Sequence, residues 1–442
     1  MRLHQWMAGW LDIGINSTQT MKSPGRVVIF ALLFHCSAAN AIDTAQLESG
    51  QVLTTDPAPA DTAFATWLIQ LKQDALAKGI SPHTLVVALP DGLQRIARVI
   101  ELDQRQPEFV DTFWNYLDRR VDEQRIRKGR DKLREHRKLL AKVQTRYGIP
   151  PQILVALWGL ETGYGASTGS FPTPAALATL ASGNRRSAFF RSELLHALSI
   201  LEQGHLPVAD MTGSWAGAMG QMQFMPATFL NHAIDADGDG RKDIWKSLPD
   251  VFHSAANYLR KSGWRPGELW GREIRLPEDF DFDVASPDIK KSVKTWNRLG
   301  IRQISGKPLP AGHLEGSIVL PQGHEGPAFL IYHNFHVIME WNRSINYALA
   351  VGHLSDRLLS GPALKLGRDA DNRRLTRDQY MEIQQLLQQL GYSSGDIDGV
   401  PGSRTRQAIR AYQKAVGLPV DGHASARLLE YMQRAAPAGV QS

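Results

Sequence analysis

Apolar residues recur three and four positions apart through most of the chain, the spacing of amphipathic helices. "FATWLIQLKQDALAKG" (64–79) and "FFRSELLHALSILEQG" (189–204) show it most clearly, and each run stops at a glycine. The helical pattern holds from about residue 63 to 359, with one interruption. Residues 264–325 are richer in Pro, Gly and Asp and carry short β-like pieces such as "SIVL". After "SGPALKLGRDADN" the helical period returns in "TRDQYMEIQQLLQQLGY", "DIDGVPGSRTRQAIRAYQKAVG" and "DGHASARLLEYMQ". These read as three short helices separated by Gly and Asp turns. The fold class expected is mainly α, an α+β main domain followed by a small three-helix bundle. The division expected is a leader over 1–41, a linker over 42–62, the main domain over 63–360, a second linker over 361–374, the bundle over 375–435 and a tail over 436–442.

One residue breaks the apolar pattern. In "ILVALWGLETGYG" (153–165), Glu161 falls on the face of Leu154, Leu157 and Trp158, just before Gly163 and Gly165 end the helix. A carboxylate there is desolvated, which favours its protonated form. The helix-end carbonyls act in the same direction. Such a group suits a general acid. The plain alternative is a frayed helix end with Glu161 in water.

Two later stretches add candidate chemistry. "GSWAGAMGQMQFMPATF" (213–229) packs Gly, Met and aromatics into a loop that enters a helix near Pro226. Small residues allow close approach of a ligand, and Ser214 and Gln223 offer neutral hydrogen bonds suited to sugar hydroxyls and amides. In "DADGDGRKDIWKSLPD" (235–250), Asp235, Asp237 and Asp239 stand at positions 1, 3 and 5 of an EF-hand-like loop. Gly240 is at position 6, and Arg241 at position 7 would offer its carbonyl. Position 12 is Lys246 rather than glutamate, so closure of the site would fall to Asp250. Calcium is the cation such a loop would take, in a structural role. No organic cofactor is called for.

Charge narrows the partners only slightly. The chain carries +6, or +4 once residues 1–41 are set aside, which favours an anionic partner without choosing one. The run "RRVDEQRIRKGRDKLREHRKLLAK" interleaves acids and apolar residues and reads as the solvated face of a helix, not a nucleic-acid surface. "MKSPGRVVIFALLFHCSAANA" (21–41) has a basic start, an apolar core and a small-residue cleavage site, the pattern of a secretory signal. Residues 1–20 precede it, so Met21 is a candidate start. The only cysteine, Cys36, follows His35 rather than a small residue, which disfavours a lipid anchor. The mature chain would then be periplasmic, free of thiols and without a membrane span.

"GIPPQILVALWGLETGYG", "AALATLASGNRRSAFFRSEL", the 213–229 loop, the Asp-rich loop with "SAANYL", and "NFHVIMEWNRSINYALAVGHLSDRL" together resemble the lytic murein transglycosylase B family. Residues 375–433 are similar to the three-helix peptidoglycan-binding domain. The resemblance implies a lysozyme-like catalytic domain acting on peptidoglycan glycan strands, with other cell-wall enzymes as candidate partners. It implies non-hydrolytic cleavage of the bond between N-acetylmuramic acid and N-acetylglucosamine, giving a 1,6-anhydro product. Glu161 would serve as the single acid and base, consistent with the lack of a convincing second carboxylate. Tyr116, Ser214, Gln223 and Tyr258 would line the groove, and Arg185 and Arg186 would meet a stem-peptide or lactyl carboxylate. His336 and Trp341 stand where tyrosines are expected in other members. Asp235, Asp237, Asp239 and Asp250 match the calcium loop, with a spacing to Asp250 one residue longer. A hydrolytic muramidase and a non-catalytic wall-binding scaffold are the competing readings.

Overall fold

The computed structural model describes residues 61–104, 111–183, 186–310, 312–368 and 370–435. The leader pattern, Cys36 and Arg185 lie outside the described residues. Helices dominate. Six lead in from the N-terminal side: α1 (Thr62–Ala77), α2 (Pro82–Ala88), α3 (Ala97–Gln104), α4 (Phe113–Arg120), α5 (Glu123–Glu135) and α6 (Arg137–Tyr147). Their starts are written in the sequence. Asp61, Ser81, Thr112 and Asp122 each accept a backbone N–H of the first turn, satisfying donors that the helix leaves orphaned.

The basic run (119–142) expected to form one solvated helix face is divided twice, at Val121–Asp122 between α4 and α5 and at His136 between α5 and α6. The His136 imidazole turns inward, 5.8 Å from the Trp158 ring and 6.3 Å from Phe252.

The centre of the largest core is α7 (Pro151–Thr162). Every residue from Ile153 to Leu160 is buried, so the helix is apolar all round rather than striped. Strand β1 (Phe171–Pro172) and β2 (Thr212–Gly213) form a two-residue antiparallel ladder that fixes the 213–225 loop against the start of α8 (Thr173–Ala181). Then come α9 (Ser187–Glu202), α10 (Pro226–His232) and α11 (Leu248–Lys261). Buried Glu193 of α9 accepts the Ala227 N–H at 2.9 Å and so ties α10 down.

The irregular stretch is a sheet. β3 (Gly271–Arg275), β4 (Lys291–Ser292), β5 (Arg302–Gln303), β6 (Glu315–Val319) and β7 (Ala328–Ile331) pair antiparallel in the order β4-β6-β7-β3-β5. With α12 (Val293–Arg298), it encloses a second core around Trp296, Ile318 and Leu330. The expected "SIVL" lies in and beside β6, while β7 and β3 supply the centre of the sheet. The chain then returns to the first core through α13 (His333–Trp341) and α14 (Ile345–Leu358), and α14 packs along α7.

α15 (Arg377–Gln389), α16 (Ser403–Ala415) and α17 (Ala426–Ala435) surround a third core of Ile383, Leu387, Ile409 and Leu429. Thr376 and Gln379 close a capping box at the first of them. This bundle is joined to the sheet region. His324 Nδ1 lies 2.8 Å from Asp421, Lys414 lies 2.6 Å from Asp283, and Arg410 donates to the Phe282 carbonyl at 3.1 Å. Burial acts to raise Asp421, but the bonds from His324 and His423 outweigh it and hold the carboxyl down to about 2.

Gly352 on α14 lies against the Trp270 indole, where an added Cβ would come within 2.3 Å of ring carbons. A buried indole cannot swing aside as a flexible chain end would. Gly352→Ala is expected to destabilise the protein by about 1–3 kcal/mol through overpacking, read as a lowered midpoint in urea denaturation.

Candidate active site

The end of α7 is shaped by its glycines. Gly163 takes the left-handed conformation at φ 60°, and the N–H groups of Gly163 and Tyr164 return to Gly159 and Trp158. The helix therefore stops at Thr162, and Glu161 stands in its last turn.

Glu161 is half-buried and hydrogen-bonded, not unpaired. Trp341 Nε1 donates to its Oε1 at 3.0 Å, and the Tyr347 hydroxyl donates to the same oxygen. Arg120 is the nearby positive charge. Burial pushes the Glu161 pKa up, and the Tyr347 bond, the Arg120 charge and the Trp341 bond pull it part of the way back. The net direction is upward, as the sequence suggested, with burial as the dominant cause. The helix-end contribution is partly cancelled, because Arg120 donates to the Leu160 carbonyl at 3.3 Å and Lys128 to Gly163 at 3.0 Å. No acid of the described residues is among the groups acting on Glu161.

Tyr116 is buried beside this group, with the Arg120 guanidinium 5.6 Å from its ring centre. Burial raises the Tyr116 phenol, Arg120 opposes this, and the Glu161 charge adds to it. Trp341, Tyr258 and Phe224 form an aromatic wall, with Trp341 5.0 Å from Tyr258 and 5.4 Å from Phe224. The Tyr258 hydroxyl donates to the Glu340 carbonyl at 2.7 Å, and burial pushes its pKa up to about 12.

The loop opposite is internally pinned. Ser214 Oγ accepts the Ala218 N–H at 3.0 Å. Gln223 holds a left-handed φ of 50°, unusual for a non-glycine residue, and its amide donates to Thr168 and Gly220, both at 3.0 Å. Its Oε1 takes no hydrogen bond among the described residues.

Two other expected residues have neighbours of their own. Arg186 pairs with Asp103 at 3.0 Å and lies over Phe190. His336 is five residues from Trp341, about 140° round the helix. It lines a separate cavity of about 460 Å³ with Glu268, Lys290 and Lys294. Burial, then Lys290 and His333, lower its pKa.

In the acidic loop, oxygens of Asp235, Asp237 and Asp250 lie within 4.8 Å of one another. Asp250 is fully buried and accepts the Ala236 and Asp243 N–H groups at 2.8 and 2.7 Å. Burial raises its pKa, and the charges of Asp237 and Asp235 add to this. Asp239 falls outside the cluster and accepts the Arg241 N–H at 2.8 Å. Lys246 points away to Asp210 at 2.8 Å.

Tyr347, Arg120 and Gln221 belong to this neighbourhood and were not singled out from the sequence. Arg120 was hidden in the basic run. Tyr347 was inside a quoted stretch, but its place beside a residue 186 positions away is set by the packing of α14 on α7.

A helical domain of lysozyme-like class, with one half-buried, hydrogen-bonded carboxyl at a helix end and a small helical bundle attached, is what fold and site define. Residues 63–356 match the transglycosylase SLT domain family and residues 376–432 the peptidoglycan binding domain family. The chain belongs to the transglycosylase SLT domain family. It is similar to SltB3 from Pseudomonas aeruginosa, solved in complexes with NAG-anhNAM-pentapeptide and with NAG-NAM-pentapeptide. Identity is 42% and TM-score 0.81, over 84% of this chain and 99% of that one. The membrane-bound lytic murein transglycosylase B of Escherichia coli is 31% identical over 229 residues, which span 50% of this chain and 59% of that relative. The E. coli lytic transglycosylase Slt35, solved in complex with calcium, is 25% identical with TM-score 0.57, over 67% of this chain and 93% of that one.

Because the Tyr347 hydroxyl stabilises the Glu161 anion, Tyr347→Phe should move the Glu161 pKa further upward. A ¹³C-carboxyl NMR titration of the variant beside the wild type checks this direction.

Proposed function

We propose that the protein is a peptidoglycan lytic transglycosylase in which Glu161 performs both proton transfers. The observation that carries this reading is a half-buried carboxyl at the end of α7, held by the Tyr347 and Trp341 donors, with burial favouring its protonated form. Two-carboxylate glycosidases need a nucleophile or base across the scissile bond. Here the sugar's own C6 hydroxyl takes that place.

In the first step the Glu161 proton passes to the glycosidic oxygen, and the bond from that oxygen to C1 of the muramic acid breaks. The carboxylate left behind is stabilised by Tyr347, Trp341 and Arg120, the same groups that hold it in the free protein. In the second step it removes the C6 hydroxyl proton as that oxygen bonds to C1. The proton returns to Glu161, the product is a 1,6-anhydro sugar, and no water enters. Positive charge developing at the sugar would be met by its own N-acetyl group and by neutral neighbours such as the free Gln223 Oε1. Half-buried Tyr258 and Trp341, backed by buried Phe224, would offer apolar faces to the sugar rings. The NAG-anhNAM ligand of the relative SltB3 supports this product class.

Residues 63–360 form the catalytic unit in this reading. Residues 375–435 act as a wall anchor that raises the enzyme's local concentration on the polymer. The site of action is then the cell wall or periplasm. No helix of the described residues is long and apolar enough to cross a membrane.

The acidic loop fits calcium in its donor set: three carboxylates converge, one of them buried, and their mutual repulsion is what a hard divalent cation relieves. Asp235, Asp237 and Asp250 would hold it. Its contribution is to fix the loop, and no proton-transfer step depends on it.

Digestion of purified sacculi followed by mass spectrometry tests the reaction. Wild type should release muropeptides one water lighter than hydrolytic products, and Glu161→Gln should lower release at least a thousandfold. Calcium chloride should raise the melting temperature over that in EDTA, increasingly with concentration. Asp237→Asn should remove most of that rise.

A further inference from the structure

Glu161 stands at the last turn of a helix, where backbones fray, yet its chemistry requires placement to a fraction of an ångström. The donors Tyr347 and Trp341 approach from α14 and α13. Something must hold the α7 end on the opposite side. One residue of the 213–225 loop bonds to α7 on both sides of Glu161, through its side chain to Trp158 and through its backbone to Thr162. Gln221 Oε1 accepts Trp158 Nε1–H at 2.8 Å, and the Gln221 carbonyl accepts the Thr162 hydroxyl at 2.8 Å. Thr162 Oγ1 in turn accepts the Gly165 N–H at 3.0 Å. An added Cβ on Gly165 would lie 2.4 Å from Gln221 Oε1, so the turn closes directly on this amide.

The other half of Gln221 faces the acidic loop. Its Nε2 donates to the Trp245 carbonyl at 2.8 Å, and its backbone N–H donates to Ile244 at 2.9 Å. Asp243 Oδ1 holds the Trp245 N–H at 2.9 Å, and buried Asp250 holds the Asp243 N–H at 2.7 Å. All four polar groups of Gln221 are thus used, and the residue is 8% exposed.

We propose that Gln221 is a positioning residue for Glu161, the joint that registers the end of the catalytic helix against the 235–250 loop. It touches neither substrate nor reacting atoms. It keeps the carboxyl within reach of Tyr347 and Trp341. The proposal rests on Glu161 being the reacting carboxyl.

The test compares wild type, Gln221→Leu and Gln221→Glu for muropeptide release, with Glu161→Gln alongside. Gln221→Leu removes both side-chain bonds at similar volume. Its kcat is expected to fall at least tenfold while KM changes less than threefold. Losing alignment with Tyr347 and Trp341 removes stabilisation of the anion. The alkaline limb of the kcat profile, set by loss of the Glu161 proton, should therefore move to higher pH. Gln221→Glu keeps the acceptor for Trp158 and loses the donor to Trp245 once ionised. It should recover activity toward acid pH, where its carboxyl can again donate. It also supplies the reading if the leucine variant fails to fold. An unmoved alkaline limb in both variants, or a loss confined to KM, overturns the proposal. Full activity of Glu161→Gln would instead remove the reading on which it rests.

Discussion

The structure turns on the balance around one carboxyl group. Burial at the end of α7 favours the protonated form of Glu161, and two neutral donors with one cation favour the anion. Either influence alone would disable a group that must act as acid and then as base. Burial alone would leave a poor base, since the anion would find no partners. The donors alone, in water, would leave it ionised and without a proton to give. Each unit of pKa corresponds to about 1.4 kcal/mol between the two forms, so small displacements of the donors matter.

The rest of the architecture follows from holding that balance. α7 is buried along its length, which fixes its axis, and glycine at φ 60° fixes where it stops. α14 lies along it and brings Tyr347 across. α13 brings Trp341, whose ring also belongs to the aromatic wall with Tyr258 and Phe224. The acidic loop lies further out but is joined to the helix end through Trp245 and Gln221. The segment from β3 to β7 separates these elements in sequence and returns the chain to the first core.

Much of this was legible in the residues. Helical periods with Gly stops and side-chain caps gave α1 and α9 to within two residues, and the three-helix bundle appeared from its Gly and Asp turns. Glu161 was visible because an acid at the end of an apolar helix is anomalous. The sheet was under-read, because β3 and β5 are short, carry charges and lack a clean alternation. Tyr347 and Arg120 could not be assigned from local pattern, since their roles arise from contacts between distant segments. Arg186 illustrates the converse. A basic residue near a loop looks available in sequence, but Asp103 engages it. In the acidic loop, the sequence offers Asp235, Asp237, Asp239 and Asp250 together, and the fold gathers Asp235, Asp237 and buried Asp250 while Asp239 lies outside that cluster.

The most direct test is a ¹³C-carboxyl NMR titration of the folded, substrate-free wild type, with the Glu161 signal identified by its absence in Glu161→Gln. The account predicts a midpoint clearly above that of an ordinary glutamate. A midpoint at or below the ordinary value would contradict it.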